Sequence, residues 1–281
     1  MYKKVLATVN EYSNSEVAAR YAITFAKACN AKLSLLYVAS EGADRESFKR
    51  AEASLKRLFM EAESCDVEVE SLIASGDPFE EISSKVRRDT IDIVFTSTRK
   101  EDMSRRFFTR TLSKELILKL PCSVALMRIV HIGKTHPRRI LVPLRGRMTK
   151  FEERACFVAR LAEGFGCAIT LFHAPAKVTS FFHGEVHLPT FERSKRIPAD
   201  VEEFVECLNR YGIHHEKRTG HGSVAQSITI EAMIRRSDLI VMGASERGLL
   251  KSILYGNPLE YVIREAPCNL VIFRPVHKAI P

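Results

Sequence analysis

Short runs of β-branched and aliphatic residues recur along the chain near 3–10, 32–39, 67–74, 91–97 and 122–128, and again near 138–144, 168–173, 214–219, 238–243 and 268–274. Each run is bounded by polar or turn residues, the pattern of strands buried in a parallel sheet. Between the runs lie stretches with helical periodicity. Ser13-Asn14-Ser15-Glu16 precedes Val17, Ala18, Tyr21, Ala22, Phe25 and Ala26, an i, i+3/i+4 stripe behind a capping sequence. Further helices are predicted over 44–64, 78–88 and 111–119, then over 151–165, 199–211, 223–235 and 256–265. Strands alternating with helices imply right-handed βαβ units, with helices on both faces of the sheet.

The order of elements repeats. Lys3-Lys4-Val5-Leu6-Ala7-Thr8-Val9-Asn10 parallels Arg138-Arg139-Ile140-Leu141-Val142-Pro143-Leu144-Arg145 at an offset of 135. Asp92-Ile93-Val94-Phe95 parallels Asp238-Leu239-Ile240-Val241, and Pro121-Cys122 through Arg128 parallels Pro267-Cys268 through Arg274, both at 146. The second copy therefore carries a net insertion of 11 residues, most of it in 175–198, which reads as a loop or lid. Two α/β domains follow, 1–130 and 138–276, joined by the short polar linker His131–Pro137.

A length of 281 residues suits two such units. No apolar run approaches the roughly 20 residues that span a bilayer, and Met1–Leu6 runs straight into a strand without a signal-peptide pattern, so a cytoplasmic location without membrane association is expected. The seven cysteines form no C-x-x-C, which predicts buried free thiols in a reducing compartment. A net charge of +9 favours anionic partners, yet no aromatic-studded basic strand or recognition helix points to nucleic acid.

Five strands and four helices in this order, with Gly76-Asp77-Pro78 before the third helix and a last strand after Pro-Cys, resemble a universal stress protein domain in both halves. The second half adds Met242-Gly243-Ala244-Ser245-Glu246-Arg247-Gly248 followed by Tyr255-Gly256-Asn257. The resemblance implies a five-stranded parallel sheet of order 3-2-1-4-5 in each half. It also implies that the last strands pair antiparallel between domains as an intramolecular pseudo-dimer, while the sequence does not decide whether two chains associate further as a homodimer. Nucleotide-binding members carry Gly-x-x-Gly, nine residues, then Gly and Ser or Thr, together with an Asp ending the first strand. Glycine suits that loop because phosphate needs close backbone N–H donors.

This chain departs from the pattern twice. In the second half Gly243 and Gly256 match, Glu246 replaces the middle glycine, Asn257 replaces the hydroxyl residue, and Arg145 replaces the Asp. In the first half the motif positions hold Ser97, Lys100, Arg110 and Thr111, and Asn10 replaces the Asp. The second half is thus the candidate site for ATP, AMP or another small anion. Gly243, Ser245, Gly248, Gly256 and Asn257 would form the loop, and Pro143 and Arg145 would line the pocket. Tight turns inherited from the fold are the alternative explanation of the two glycines.

Other chemistry is weaker. His183 and His187 have helical metal-ligand spacing, but Gly184 and Pro189 argue against a helix there. His221 sits in a turn, and the basic run Arg99–Arg110 reads as a solvated face rather than a ligand or partner site. No G-x-S-x-G or G-x-x-x-x-G-K-[ST] motif and no general base support catalysis. The expectation is a non-enzymatic stress-response regulator that binds a nucleotide or small anion and signals to an unidentified protein partner. The alternative is a nucleotide-independent scaffold using its basic surfaces and the insertion.

Overall fold

The computed structural model describes residues 2–40, 42, 44–98, 111–145, 148–173, 199–220, 223–244 and 258–276. Strands β1 (Lys4–Val9), β2 (Lys32–Ala39), β3 (Val69–Ser75), β4 (Ile93–Ser97) and β5 (Ser123–Arg128) alternate with helices α1 (Ser13–Cys29), α2 (Arg45–Ser64), α3 (Pro78–Asp89) and α4 (Leu112–Lys119). The second half supplies β6 (Arg139–Leu144), α5 (Phe151–Phe165), β7 (Ala168–His173), α6 (Ala199–Arg210), β8 (His215–Thr219), α7 (Val224–Ile234), β9 (Leu239–Gly243), α8 (Pro258–Glu265) and β10 (Asn269–Arg274).

All ten strands form one sheet of order β3-β2-β1-β4-β5-β10-β9-β6-β7-β8. Each half has the expected 3-2-1-4-5 order. The halves join where β10 runs antiparallel to β5, with Leu270 opposite Arg128 and Arg274 opposite Val124. The edge strand β8, His-Glu-Lys-Arg-Thr, is short and charged, which blunts edge-to-edge pairing.

Helices α1, α2, α5 and α6 bury one continuous apolar layer on one face of the sheet; α3, α4, α7 and α8 bury the other. At the centre of the first layer Phe25 lies 5.3 Å from both Phe95 and Phe157, and Phe157 stacks on Phe273 at 4.1 Å. Gly164 lets α5 approach α1, because a Cβ there would lie 2.9 Å from Thr24 Cγ2 and 3.0 Å from its carbonyl oxygen. The two domains therefore share one core.

The repeated aspartates serve the strands. Asp92 Oδ2 accepts from the N–H groups of Lys3 and Lys4, at 2.7 and 2.9 Å, where β1 begins. Asp238 Oδ2 accepts likewise from Arg138 and Arg139 before β6. The repeated arginines that end β5 and β10 are exchanged across the seam. Arg274 Nη2 donates to Leu120 O and Cys122 O at 2.6 and 2.8 Å, capping α4. Arg128 donates to Arg264 O and Ala266 O at 3.1 and 3.3 Å, capping α8. Each half thus satisfies carbonyls at a helix end of the other.

Local signals were partly redirected. Asp77 caps α3 through the N–H groups of Phe79 and Glu80, with Pro78 in the first turn, as its sequence predicts. The Ser13 capping box of α1 does not form: Tyr12 is the cap residue and makes no side-chain cap bond. Ser15 instead bonds the Asn10 and Tyr12 carbonyls and accepts from Asn10 N–H, folding the β1–α1 turn onto itself. All seven cysteines are free thiols. Burial pushes Cys122 and Cys268, each behind its proline, up to about 12, which keeps them in the unreactive thiol form at neutral pH.

Candidate functional site

In an open α/β sheet, ligands enter outside the carboxyl ends of the strands where the strand order reverses. This chain has two such points, between β1 and β4 and between β6 and β9. They differ.

At the first crevice the described polar groups bond one another. The β1–β4 ladder runs through Val5–Ile93, Leu6–Val94 and Ala7–Phe95, and Thr8 Oγ1 then donates to Thr96 Oγ1 at 2.9 Å. Beyond it Asn14 Nδ2 donates to Thr98 O, and Ser113 Oγ donates to Ser97 O. Asn10 spends its side-chain oxygen on Tyr12 N–H, 2.9 Å away. The acceptor that this residue keeps in place of an aspartate is therefore used locally, and every group is neutral.

The second crevice lacks that bracing among the described residues. The β6–β9 ladder consists of Ile140–Leu239 and Leu141–Ile240. Backbone groups in a strand alternate sides, and Arg139 O faces β9, accepting from Asp238 N. Position 143 faces the same way, and Pro143 has no N–H to give. The Thr8–Thr96 bond cannot recur either, because Pro143 and Met242 stand at those positions. Pro143 is half-buried at the crevice and Arg145 is exposed just beyond β6.

Gly243 ends β9 with its backbone exposed. Beside it lies a side chain absent from the sequence-based site, Arg154 in the first turn of α5. Its guanidinium occupies the space that a Cβ at Gly243 would need, with Nη1 1.8 Å from that Cβ position. Nε donates to Thr149 O at 2.9 Å and Nη2 to Ala244 O at 2.7 Å. The residue is only 6% exposed, and burial lowers its pKa to about 10, so it is charged at neutral pH. A sequence signal existed: Arg154 lies at i of the i, i+4, i+7 stripe that continues with Val158 and Leu161, on the buried side of α5.

Of the sequence-derived site residues, Pro143, Arg145 and Gly243 are thus brought to one strand end. Ser245, Gly248, Gly256 and Asn257 lie outside the described residues, as do His183, His187, His221, Lys100, Arg110 and the insertion 175–198. A separate pocket of about 390 Å³ lies at the opposite end of β6 and β9, along the linker. Asp238 within it is engaged by the N–H groups of Arg138 and Arg139 and by Lys134 Nζ at 2.7 Å, so this concavity is a strand brace rather than part of the crevice.

Residues 1–128 and 137–274 each match the family model described as the universal stress protein family. A curated universal stress protein from Thermus aquaticus is 29% identical over 126 residues, covering 43% of this chain and 89% of that protein. The crystal structure of a universal stress protein from Archaeoglobus fulgidus aligns over 98% of this chain and 97% of its own, with a TM-score of 0.68 and 17% identity. A universal stress protein structure from Pseudomonas aeruginosa aligns over 98% and 94%, with a TM-score of 0.62 and 15% identity.

Proposed function

The chain belongs to the universal stress protein family, and we propose that it is a non-enzymatic, cytoplasmic regulator that holds a nucleotide or other small anion in its second half only. The observation that carries this reading is the difference between the two crevices. The first spends its polar groups on one another. The second is interrupted by Pro143, keeps the bare backbone of Gly243, and sets the charged Arg154 beside it. ATP or AMP would enter with its phosphates toward Gly243, where no side chain of its own obstructs the backbone, and with Pro143 and Arg145 at the mouth. Arg145 has no acceptor for a base amino group or a ribose hydroxyl, so recognition of the anionic end dominates over recognition of the base.

The test is to denature the purified protein, analyse the supernatant for nucleotides, and record thermal shifts with ATP, ADP and AMP. Ligand well above its dissociation constant raises the melting temperature. A shift in wild type that Gly243→Ala abolishes is the expected result, since the new Cβ would displace the Arg154 guanidinium. No released nucleotide and no shift at millimolar ligand would refute anion binding.

A scaffold role is favoured by a different observation. Ile230, Met233 and Ile234 lie exposed on α7, whereas Ser84, Arg87 and Arg88 hold the matching positions of α3. One helix has an apolar stripe where its internal counterpart is polar. Sedimentation of wild type and Ile234→Arg separates the roles: a change in assembly state without any nucleotide shift favours the scaffold.

A further inference from the structure

Arg154 has no counterpart in the first half. Asn30 and Gly166 both end their helices in the left-handed conformation, and this alignment places Ala18 of α1 against Arg154 of α5. The two halves also cap one carbonyl differently. Thr98 O, after β4, takes the neutral amide of Asn14, while Ala244 O, after β9, takes the guanidinium. Charge has been brought into the second crevice at a position where the first has a methyl group.

That charge is held without a direct ion pair among the described residues. Among the described residues no carboxylate pairs with Arg154. The adjacent carboxylate, Glu153, favours the charge through space, but its Oε1 accepts from Ser123 Oγ and from Val276 N at 2.9 Å rather than from the guanidinium. Nε and Nη2 are committed to Thr149 O and Ala244 O, one carbonyl on each loop that flanks the crevice. Nη1, over Gly243, has no hydrogen-bond partner among the described residues, and Gly243 is exposed. A buried cation without an anion is costly, and an anion that reaches it recovers part of that cost. With Nε and one N–H of Nη2 engaged, the side-on fork that arginine offers a carboxylate is unavailable. A tetrahedral dianion needs one strong contact from this residue and presents its other oxygens elsewhere.

We propose that Arg154 is the anion receptor of the second half, presenting Nη1 over Gly243 to a phosphate oxygen of inorganic phosphate or a phosphate monoester. This rests on the reading that an anion enters the second crevice.

Isothermal titration of the full chain with inorganic phosphate, AMP and adenosine, on wild type and Arg154→Met, tests it. Wild type is expected to bind phosphate, AMP or both, weakened by about 10-fold or more in Arg154→Met, the loss of a charge-assisted hydrogen bond. Binding of phosphate itself marks the free ion as sufficient; binding of AMP alone marks the ester. Adenosine binding as tight as AMP overturns the assignment to phosphate. Binding that Arg154→Met retains within about twofold overturns the role of Arg154 and leaves the anion reading standing. Absence of binding by wild type at millimolar phosphate and AMP overturns both. Should Arg154→Met fail to fold by circular dichroism, the Arg154 Nε–H resonance, assigned through Arg154→Lys, is followed during phosphate titration of wild type. Saturable displacement supports the role, and a stationary resonance amid shifting backbone amides overturns it.

Discussion

Replacing Arg274 by methionine should destabilise the whole chain rather than its second half. Arg274 is 2% exposed and reaches across the seam to Leu120 O and Cys122 O at 2.6 and 2.8 Å. Methionine preserves most of the apolar stem but leaves two buried carbonyls without this donor, at about 1–3 kcal/mol each. Removing a desolvated charge returns part of that, so the net loss should be about 2–3 kcal/mol. Arg128 reaches the other way, to Arg264 O and Ala266 O at 3.1 and 3.3 Å, and is 6% exposed, so Arg128→Met should cost less, roughly 1–2 kcal/mol. Because the chain has no tryptophan, urea unfolding is best followed by circular dichroism and tyrosine fluorescence. Both probes should report a single transition, since the aromatic cluster Phe25, Phe95, Phe157 and Phe273 belongs to both halves. Arg274→Met should lower the melting temperature by roughly 4–12 °C, at about 2–4 °C per kcal/mol for a chain near this size. A loss below about 0.5 kcal/mol, a larger loss for Arg128→Met, or separate transitions for the two halves would refute the reasoning.

Gly164→Val should destabilise by about 1–3 kcal/mol, because the gain in helix propensity is smaller than the overlap with Thr24, whose carbonyl oxygen cannot move aside; thermal unfolding measures it. Pro143→Thr should be close to neutral for stability, one regained hydrogen bond of about 0.5–1.5 kcal/mol against about 0.4–1 kcal/mol of lost chain restriction. It should nonetheless give a slowly exchanging amide at position 143 and weaken anion binding, and an amide that exchanges at the solvent rate would show that the proline is not what ends the ladder. The Lys85 ammonium, 2.6 Å away, holds Glu70 down from 4.5 to about 2 despite partial burial. Its contribution is therefore present above about pH 4.5 and lost as pH falls toward 2, and Glu70→Gln should flatten acid unfolding across that window.

How much of this was legible in the sequence depends on the range of the interaction. Strands and helices follow from periodicity and the internal repeat, because buried strands leave unbroken apolar runs, whereas the 3-2-1-4-5 order is what the family resemblance implies. Asp92 and Asp238 were visible as repeated residues, but their bonds to the start of β1 and β6 span about 90–100 residues and have no local signature. The exchanged arginines act over 136 to 154 residues, so the sequence shows their repetition without their purpose. Ser13 illustrates the opposite failure: a valid capping pattern lost to Ser15, which folded the preceding turn instead. Pro143 was recognisable as part of the site, while its effect required knowing that position 143 faces β9.

Tandem fusion explains why the halves can differ so sharply at one end and so little at the other. In a symmetric dimer a change in one crevice appears in both, so a buried arginine in place of Ala18 would be introduced twice. Within one chain the seam holds its symmetry through Arg128, Arg274 and the β5–β10 ladder, while each crevice is free to diverge. The divergence is not isolated from the seam, however. Glu153, next to Arg154, is bonded to Ser123 at the start of β5 and to Val276 just after β10. The first turn of α5 therefore carries, on consecutive residues, the charge that faces the second crevice and the carboxylate that ties the second half to the first. Glu153→Gln should separate these roles. It weakens a bond from Ser123 and the backbone contact at Val276 while leaving the guanidinium in place, so it should lower stability more than it lowers anion affinity. The reverse order would show that α5 is positioned by the crevice and not by the seam.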